Sequence, residues 1–253
     1  MLRLIGNPED ITSAINDFRL SYHEDFTRVR SIAKAYLASS APENRATRLA
    51  EHMHQALGNW GAGLRKAPVL RPPKDAAAKL ISVELHHRLK ILDESRLTAF
   101  GLDAIRVRAF RPTSTFSCFI TFDQNLLGIL HTLADVFFVN NTNVTYPMKA
   151  LLLITGLMPA LDSQVRKGLS RAGLAGMSGT QFLLPSDASC VLGQRICHLP
   201  FWVGHCWQEQ YAEIQYAIAQ SNHPTLSTEP GRVFDILLFM QQDKARPQLL
   251  EFD

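Results

Sequence analysis

The strongest constraint on the fold is a run of apolar residues at helical spacing near the start of the chain. Ile11, Ile15, Phe18, Tyr22, Phe26, Val29 and Tyr36 recur at steps of three, four and seven residues. That spacing gathers them on one stripe of a helix and requires a partner surface to bury them. Asn7 suits the N-cap, Pro8 the first helical position, and Glu9 and Asp10 oppose the helix dipole. One long amphipathic helix is therefore expected from Pro8 to about Ser39. Similar stripes follow. Leu49, Met53 and Leu57 define a helix over 42–59, Ile81, Leu85, Leu89 and Leu92 one over 74–93, and Leu126, Leu130, Leu133 and Phe137 one over 124–138. Further helical segments are expected at 147–158, 163–173, 201–221 and 231–242.

Breaks in the pattern are marked by turn chemistry. Gly61, Gly63, Pro68, Pro72 and Pro73 make 60–73 a loop, with Trp60 as its apolar anchor. Gly173, Gly176 and Gly179 mark another. Between Arg96 and Phe122 the sequence AIRVRAF alternates and FSCFITF is aromatic and β-branched, which points to one short hairpin near 104–122. The fold class expected is mainly α, a multi-helix bundle-like globular protein. A division into an N-terminal lobe, 1–112, and a C-terminal lobe, 113–253, is the natural boundary.

Composition excludes several classes. With 46% hydrophobic and 19% charged residues the chain can build a core, so wholesale disorder is ruled out. The longest apolar stretch, Ala150 to Met158, is far short of the roughly 20 residues that span a membrane. The opening MLRLIGNPED has no apolar signal region, and the four cysteines do not suggest a disulfide framework. A cytoplasmic, reduced protein is expected. Lys and Arg exceed Asp and Glu by 26 − 23 = 3, a mildly basic balance that permits nucleic-acid contact without demanding it. Basic residues gather at Arg65, Lys66, Arg71 and Lys74, and again at Arg106, Arg108 and Arg111.

The segment 190–206, CVLGQRICHLPFWVGHC, places Cys190, Cys197, His198, His205 and Cys206 in one stretch. Zinc favours thiolates and imidazoles, but finger-type sites need ligand pairs two to four residues apart, and this spacing has none. Buried thiols packing as small hydrophobes is the simpler reading. No metal and no cofactor are expected.

The segment with the most chemical content is Tyr146 to Leu174, YPMKALLLITGLMPALDSQVRKGLSRAGL. It reads as helix, tight Gly- and Pro-containing bend, helix. Asp162 stands immediately before the second helix, where its carboxylate caps the exposed amides. Lys149 lies in the first turn of the preceding helix and is expected to face water.

The run Pro159-Ala160-Leu161-Asp162-Ser163-Gln164-Val165, with Arg166, Leu169 and Arg171 behind it, resembles the catalytic-aspartate region of helix-hairpin-helix DNA glycosylases. In that family the Asp stabilises the sugar cation as the base leaves, or helps activate a nucleophile, and bifunctional members add an upstream Lys. The resemblance implies that role for Asp162 and assigns the Lys to Lys149. The chain has VNNTNVTYP where the family has its glycine-rich hairpin. A second pattern, Trp60-Gly61 with a basic proline-bearing loop and then Lys149-x-Leu-Leu-x3-Gly156-x2-Pro159-x2-Asp162, is similar to a group of uncharacterised helical bacterial proteins, which implies a helical bacterial protein and no particular chemistry.

Two functions follow. The first is a non-catalytic binding or interaction protein with a protein partner. The second is a nucleic-acid-binding protein with a glycosylase-like helical segment, in which Asp162 and Lys149 are catalytic and Arg65, Lys66, Arg166, Lys167 and Arg171 contact nucleic acid.

Overall fold

The computed structural model describes residues 1–64, 67–141, 143–177 and 182–253. Among these residues the chain is mainly α, with eleven α-helices and three short antiparallel strand pairs. Helix α7 (Thr145–Thr155) is buried at every position from Pro147 to Thr155, as a helix with apolar residues all round requires. Four helices surround it: α2 (Leu20–Leu37), α3 (Glu43–Asn59), α5 (Val83–Ser95) and α6 (Phe119–Phe137). One hydrophobic cluster runs through the molecule and draws on residues from both sides of residue 112, from Leu2 to Leu250.

The expected N-terminal helix is two helices. Helix α1 (Pro8–Asp17) begins as the sequence indicates, with Asn7 Oδ1 accepting from the Asp10 amide at 2.8 Å. It ends at Phe18, whose extended backbone breaks the helix and turns its ring inward. There Phe18 meets Tyr22, His23 and Phe239 edge-on at 5.2–5.9 Å. The segment 74–93 divides likewise into α4 (Pro73–Leu80) and α5. Ser82 caps α5, and Ile81, expected in the core, is left 47% exposed at the joint.

The hairpin forms earlier than expected, from β3 (Phe100–Leu102) and β4 (Arg108–Phe110). FSCFITF is not a strand. It leads into α6, and Phe116, Phe119 and Phe122 pack with Phe100, Phe110 and Phe201 into one aromatic cluster. Helix α9 (Val191–Glu209) lies directly on this hairpin: a side chain at Gly204 would meet Phe100 O at 2.4 Å. Arg96, between α5 and the turn Leu97–Ala99, is held at φ 44°. Non-glycine residues in sparsely populated backbone regions cost roughly 1–3 kcal/mol.

Helix α10 (Tyr211–Gln220) follows α9 after one residue, so the single helix expected over 201–221 is also two. Helix α8 (Ser163–Arg171) packs on α11 (Pro230–Gln241) so closely that a Cβ at Gly168 would lie 1.9 Å from Leu238 O. The buried Gln241 amide donates to Gly168 O at 2.7 Å and accepts from the amides of Leu249 and Leu250. It thereby ties α8 to the C-terminal strand β6 (Leu250–Phe252). That strand pairs with β1 (Leu2–Leu4), and β2 (Val69–Leu70) pairs with β5 (Phe138–Val139). Among the described residues no helix is long and apolar enough to cross a membrane.

Candidate functional site

The fold brings Lys149 and Asp162 together although twelve residues lie between them. The bend between α7 and α8 accomplishes this. Gly156 ends α7 in the left-handed conformation at φ 65°, and Leu157, Met158, Ala160 and Leu161 are buried along the bend. Two side chains fix it further. Asp235 Oδ1 accepts from the Ala160 amide at 3.0 Å, and Thr145 Oγ1 donates to Leu161 O at 3.2 Å. The chain is thus pinned at the two residues immediately before Asp162.

Asp162 divides its two oxygens between two tasks. Oδ1 accepts from the amides of Gln164 and Val165, each at 2.9 Å, which makes it the N-cap that the sequence indicates. Oδ2 faces the Lys149 ammonium at 3.6 Å. Lys149 does not project into water as expected; only 9% of it is exposed. The reason lies in the loop after α3. Gly61, at φ 95°, turns the chain so that two successive carbonyls point at α7. Trp60 O accepts from Lys149 Nζ at 2.9 Å, and Gly61 O accepts from the Tyr146 hydroxyl at 2.8 Å. Tyr146 and Lys149 are three residues apart and share a helix face, so one turn of α7 engages both carbonyls. The ammonium also lies 5.1 Å from the Tyr146 ring centroid.

Aromatic rings and a buried ion pair complete the surroundings. Tyr22 and Trp60 have ring centroids 5.5 Å apart. Behind Trp60 lies the Arg232 guanidinium, 1% exposed, among the rings of Phe18, Trp60 and Phe26 at 4.8–5.1 Å. It pairs with Asp235 Oδ2 at 2.6 Å and donates to Tyr22 O at 3.1 Å. Burial pushes the Asp235 carboxyl up to about 6 against the opposing pull of Arg232, and the nearby Asp162 charge adds to the rise. Burial also raises the Tyr146 phenol, with Asp162 and Tyr22 acting in the same direction. The indole Nε1 of Trp60 is buried and has no hydrogen-bond partner among the described residues.

The expected basic surface is placed less uniformly. Arg166 is buried, its guanidinium 4.0 Å from the Phe182 ring centroid, so it belongs to the packing of α8 rather than to an open face. Arg171 donates to Gln241 O, Asp243 O and Arg246 O at 2.6–2.8 Å and secures the end of α11. Lys167 is exposed. Arg65 and Lys66 lie outside the described residues, as does Gly179. Cys190 caps α9, while Cys197 and Cys206 are buried within it. Among the described residues no group of three His, Cys, Asp or Glu side chains is arranged to hold a metal ion.

Sequence reasoning missed Arg232 and Asp235. Their signal is visible in PGRVFDILLFM, where two opposite charges three residues apart interrupt an otherwise apolar helix. Such a pair is expected to be buried and mutually neutralised. Chemically, an amine beside a carboxylate in a largely desolvated setting is an arrangement suited to nucleophilic or proton-transfer work. Scans against protein-family models, curated proteins and solved structures found no significant match.

Proposed function

We propose that this chain is a nucleic-acid-binding protein, bacterial and cytoplasmic, in which Lys149 and Asp162 act at a sugar whose base is leaving or lost. The observation that supports this is the 3.6 Å approach of Lys149 Nζ to Asp162 Oδ2 among Tyr22, Trp60 and Tyr146. A sugar aldehyde left by base loss would condense with the Lys149 amine to an imine, releasing water. Asp162 Oδ2, 3.6 Å away, would take the proton the ammonium must shed first. The half-buried rings of Tyr22 and Tyr146 beside the pair suit a nucleotide drawn out of its stack.

The test is trapping. Purified protein is incubated with abasic-site duplex DNA and borohydride, which delivers hydride to the imine carbon and fixes the covalent adduct. Trapping that is lost in Lys149→Gln, and reduced in Asp162→Asn, supports the reading. Trapping that persists in Lys149→Gln refutes the role of that lysine. DNA binding over a salt series provides the independent arm, with log affinity falling linearly against log salt.

A second reading, a non-catalytic binding protein with a protein partner, is favoured by one observation. Both charges are already engaged, Lys149 by Trp60 O and Asp162, and Asp162 by two amides. On that reading the pair is a clamp between α7, α8 and the loop after α3, and no DNA affinity is found at low salt.

A further inference from the structure

At the far end of α7 from Lys149, a cleft of about 590 Å³ opens between α2, the Arg96–Thr98 connection, the start of α10 and the turn leading into α11. That volume falls within the range of small-molecule sites. Arg30 forms the floor. It is buried, and its guanidinium is bracketed by two carboxylates, with Nε 3.0 Å from Glu229 Oε2 and Nη2 2.6 Å from Asp93 Oδ1. Lys34 approaches Glu229 from the other side, at 2.5 Å, with half of its side chain in solvent. Arg96 stands on the rim. It is exposed and has no acidic partner among the described residues, and its backbone lies at φ 44°. Tyr211 stands on the rim as well, 54% exposed.

Charge within the cleft is unevenly distributed. Three cations meet two carboxylates, and the carboxylates lie with Arg30 on the floor. The excess positive charge is therefore at the mouth, on Arg96 and the exposed side of Lys34. We propose that this cleft binds a nucleoside 5′-monophosphate group. Arg96 and Lys34 take the phosphate as a pair of charge-assisted donors. Asp93, engaged by Arg30 through Oδ1 alone, accepts from the sugar hydroxyls with Oδ2, while Glu229 holds Arg30 and Lys34 in place. Tyr211 offers its exposed ring to the base. The strain at Arg96 fits this use, because sparsely populated backbone conformations concentrate at ligand sites. The same chemical group is carried by a free nucleotide and by the 5′-phosphorylated end of a strand. The inference stands on the cleft alone and does not depend on Lys149 or Asp162.

Calorimetric titration with AMP, adenosine, inorganic phosphate, and a short oligonucleotide with and without a 5′-phosphate tests it. AMP is expected to bind about tenfold or more tightly than adenosine or phosphate, since charged hydrogen bonds are lost in one and stacking in the other. Arg96→Gln is expected to weaken AMP by a similar factor. Arg96→Gly removes the same charge while relieving the backbone, so loss of binding in that variant is not loss of fold. Tyr211→Ala is expected to leave phosphate binding unchanged and to weaken AMP. If the 5′-phosphorylated oligonucleotide binds more tightly than AMP, the cleft reads a strand end; if AMP binds more tightly, it takes the free nucleotide. Absence of AMP binding at millimolar concentration, or an AMP affinity unchanged in both Arg96 variants, overturns the proposal.

Discussion

Replacing Asp162 separates its two roles, because its two oxygens serve different partners. In Asp162→Ala the two 2.9 Å bonds from Gln164 and Val165 are lost, a cap worth about 1 kcal/mol. The Lys149 ammonium, almost buried, keeps only Trp60 O, and an under-paired buried charge adds about 1–3 kcal/mol. The sum is roughly 2–4 kcal/mol. Asp162→Asn retains the capping oxygen and loses only the charge, so it should cost about 1 kcal/mol less than Asp162→Ala. Lys149→Met removes the ammonium and leaves the cap intact. Urea titration of wild type, Asp162→Asn, Lys149→Met and the double variant completes a cycle whose coupling reports the pair directly. Thermal melts should show Asp162→Ala lowest, given about 2–4 °C per kcal/mol for chains of this size. Equal stabilities for Asp162→Ala and Asp162→Asn would refute the cap. Additivity of the two single changes within about 0.3–0.5 kcal/mol would show that Lys149 and Asp162 do not pair in solution.

Gly168→Ala should destabilise by about 3 kcal/mol, since its Cβ would stand 1.9 Å from Leu238 O. Helix propensity alone gives about 1 kcal/mol of the opposite sign, so urea midpoints decide between the two. His23 is stacked on His223 at 3.7 Å, its Nε2 is 3.1 Å from Ile15 O, and burial with Arg232 nearby holds it down to about 4. The unfolded chain therefore takes up the extra proton between about pH 6.5 and 4, and stability falls across that window by about 3 kcal/mol as pH is lowered. Asp235, raised to about 6, acts in the opposite sense, so the pH profile of wild type minus His23→Gln is the informative one; a flat difference refutes the assignment. Arg96→Gly should raise stability by about 1 kcal/mol through relief of its positive φ, and an unchanged melting temperature would count against strain. Thiol titration should find Cys118 and Cys190 reactive in the folded protein, since both are exposed and hydrogen bonds from Thr121 and Ile120 favour the Cys118 thiolate. Cys197 and Cys206, whose thiols burial raises, the latter up to about 12, should react only on unfolding.

Local signals were legible to the extent that they act locally. The caps at Asn7 and Asp162 are contacts of a side chain with amides two or three residues on, and both occur as the sequence indicates. The helical stripes likewise correspond to helices. The break at Phe18 was not legible from spacing, since the apolar stripe runs through it in register, and over 74–93 the apolar register masked the local cap of Ser82 on the Leu85 amide. FSCFITF has the composition of a strand, yet its rings belong to a cluster that includes Phe201, some eighty residues away, and α6 is what delivers them. Lys149 shows the same limit at the site. Its place near the start of the expected helix 147–158 suggests solvent, and only the inward carbonyls of Trp60 and Gly61 reveal why it is buried.

The pairing of β1 with β6 has a mechanical consequence. Leu2 lies opposite Phe252, Arg3 opposite Glu251 and Leu4 opposite Leu250, and beyond these rungs Asp253 N donates to Met1 O at 3.1 Å, so residues 1 and 253 stand together at one end of the ladder. Tension applied at those ends loads this ladder one rung at a time, as a zipper is opened, rather than shearing all three rungs together. Under load the clasp should part first and at low force, releasing β6 from Gln241 before the helices around α7 bear any strain. A short linker joining the two ends would remove that weak point and leave the remaining contacts unchanged.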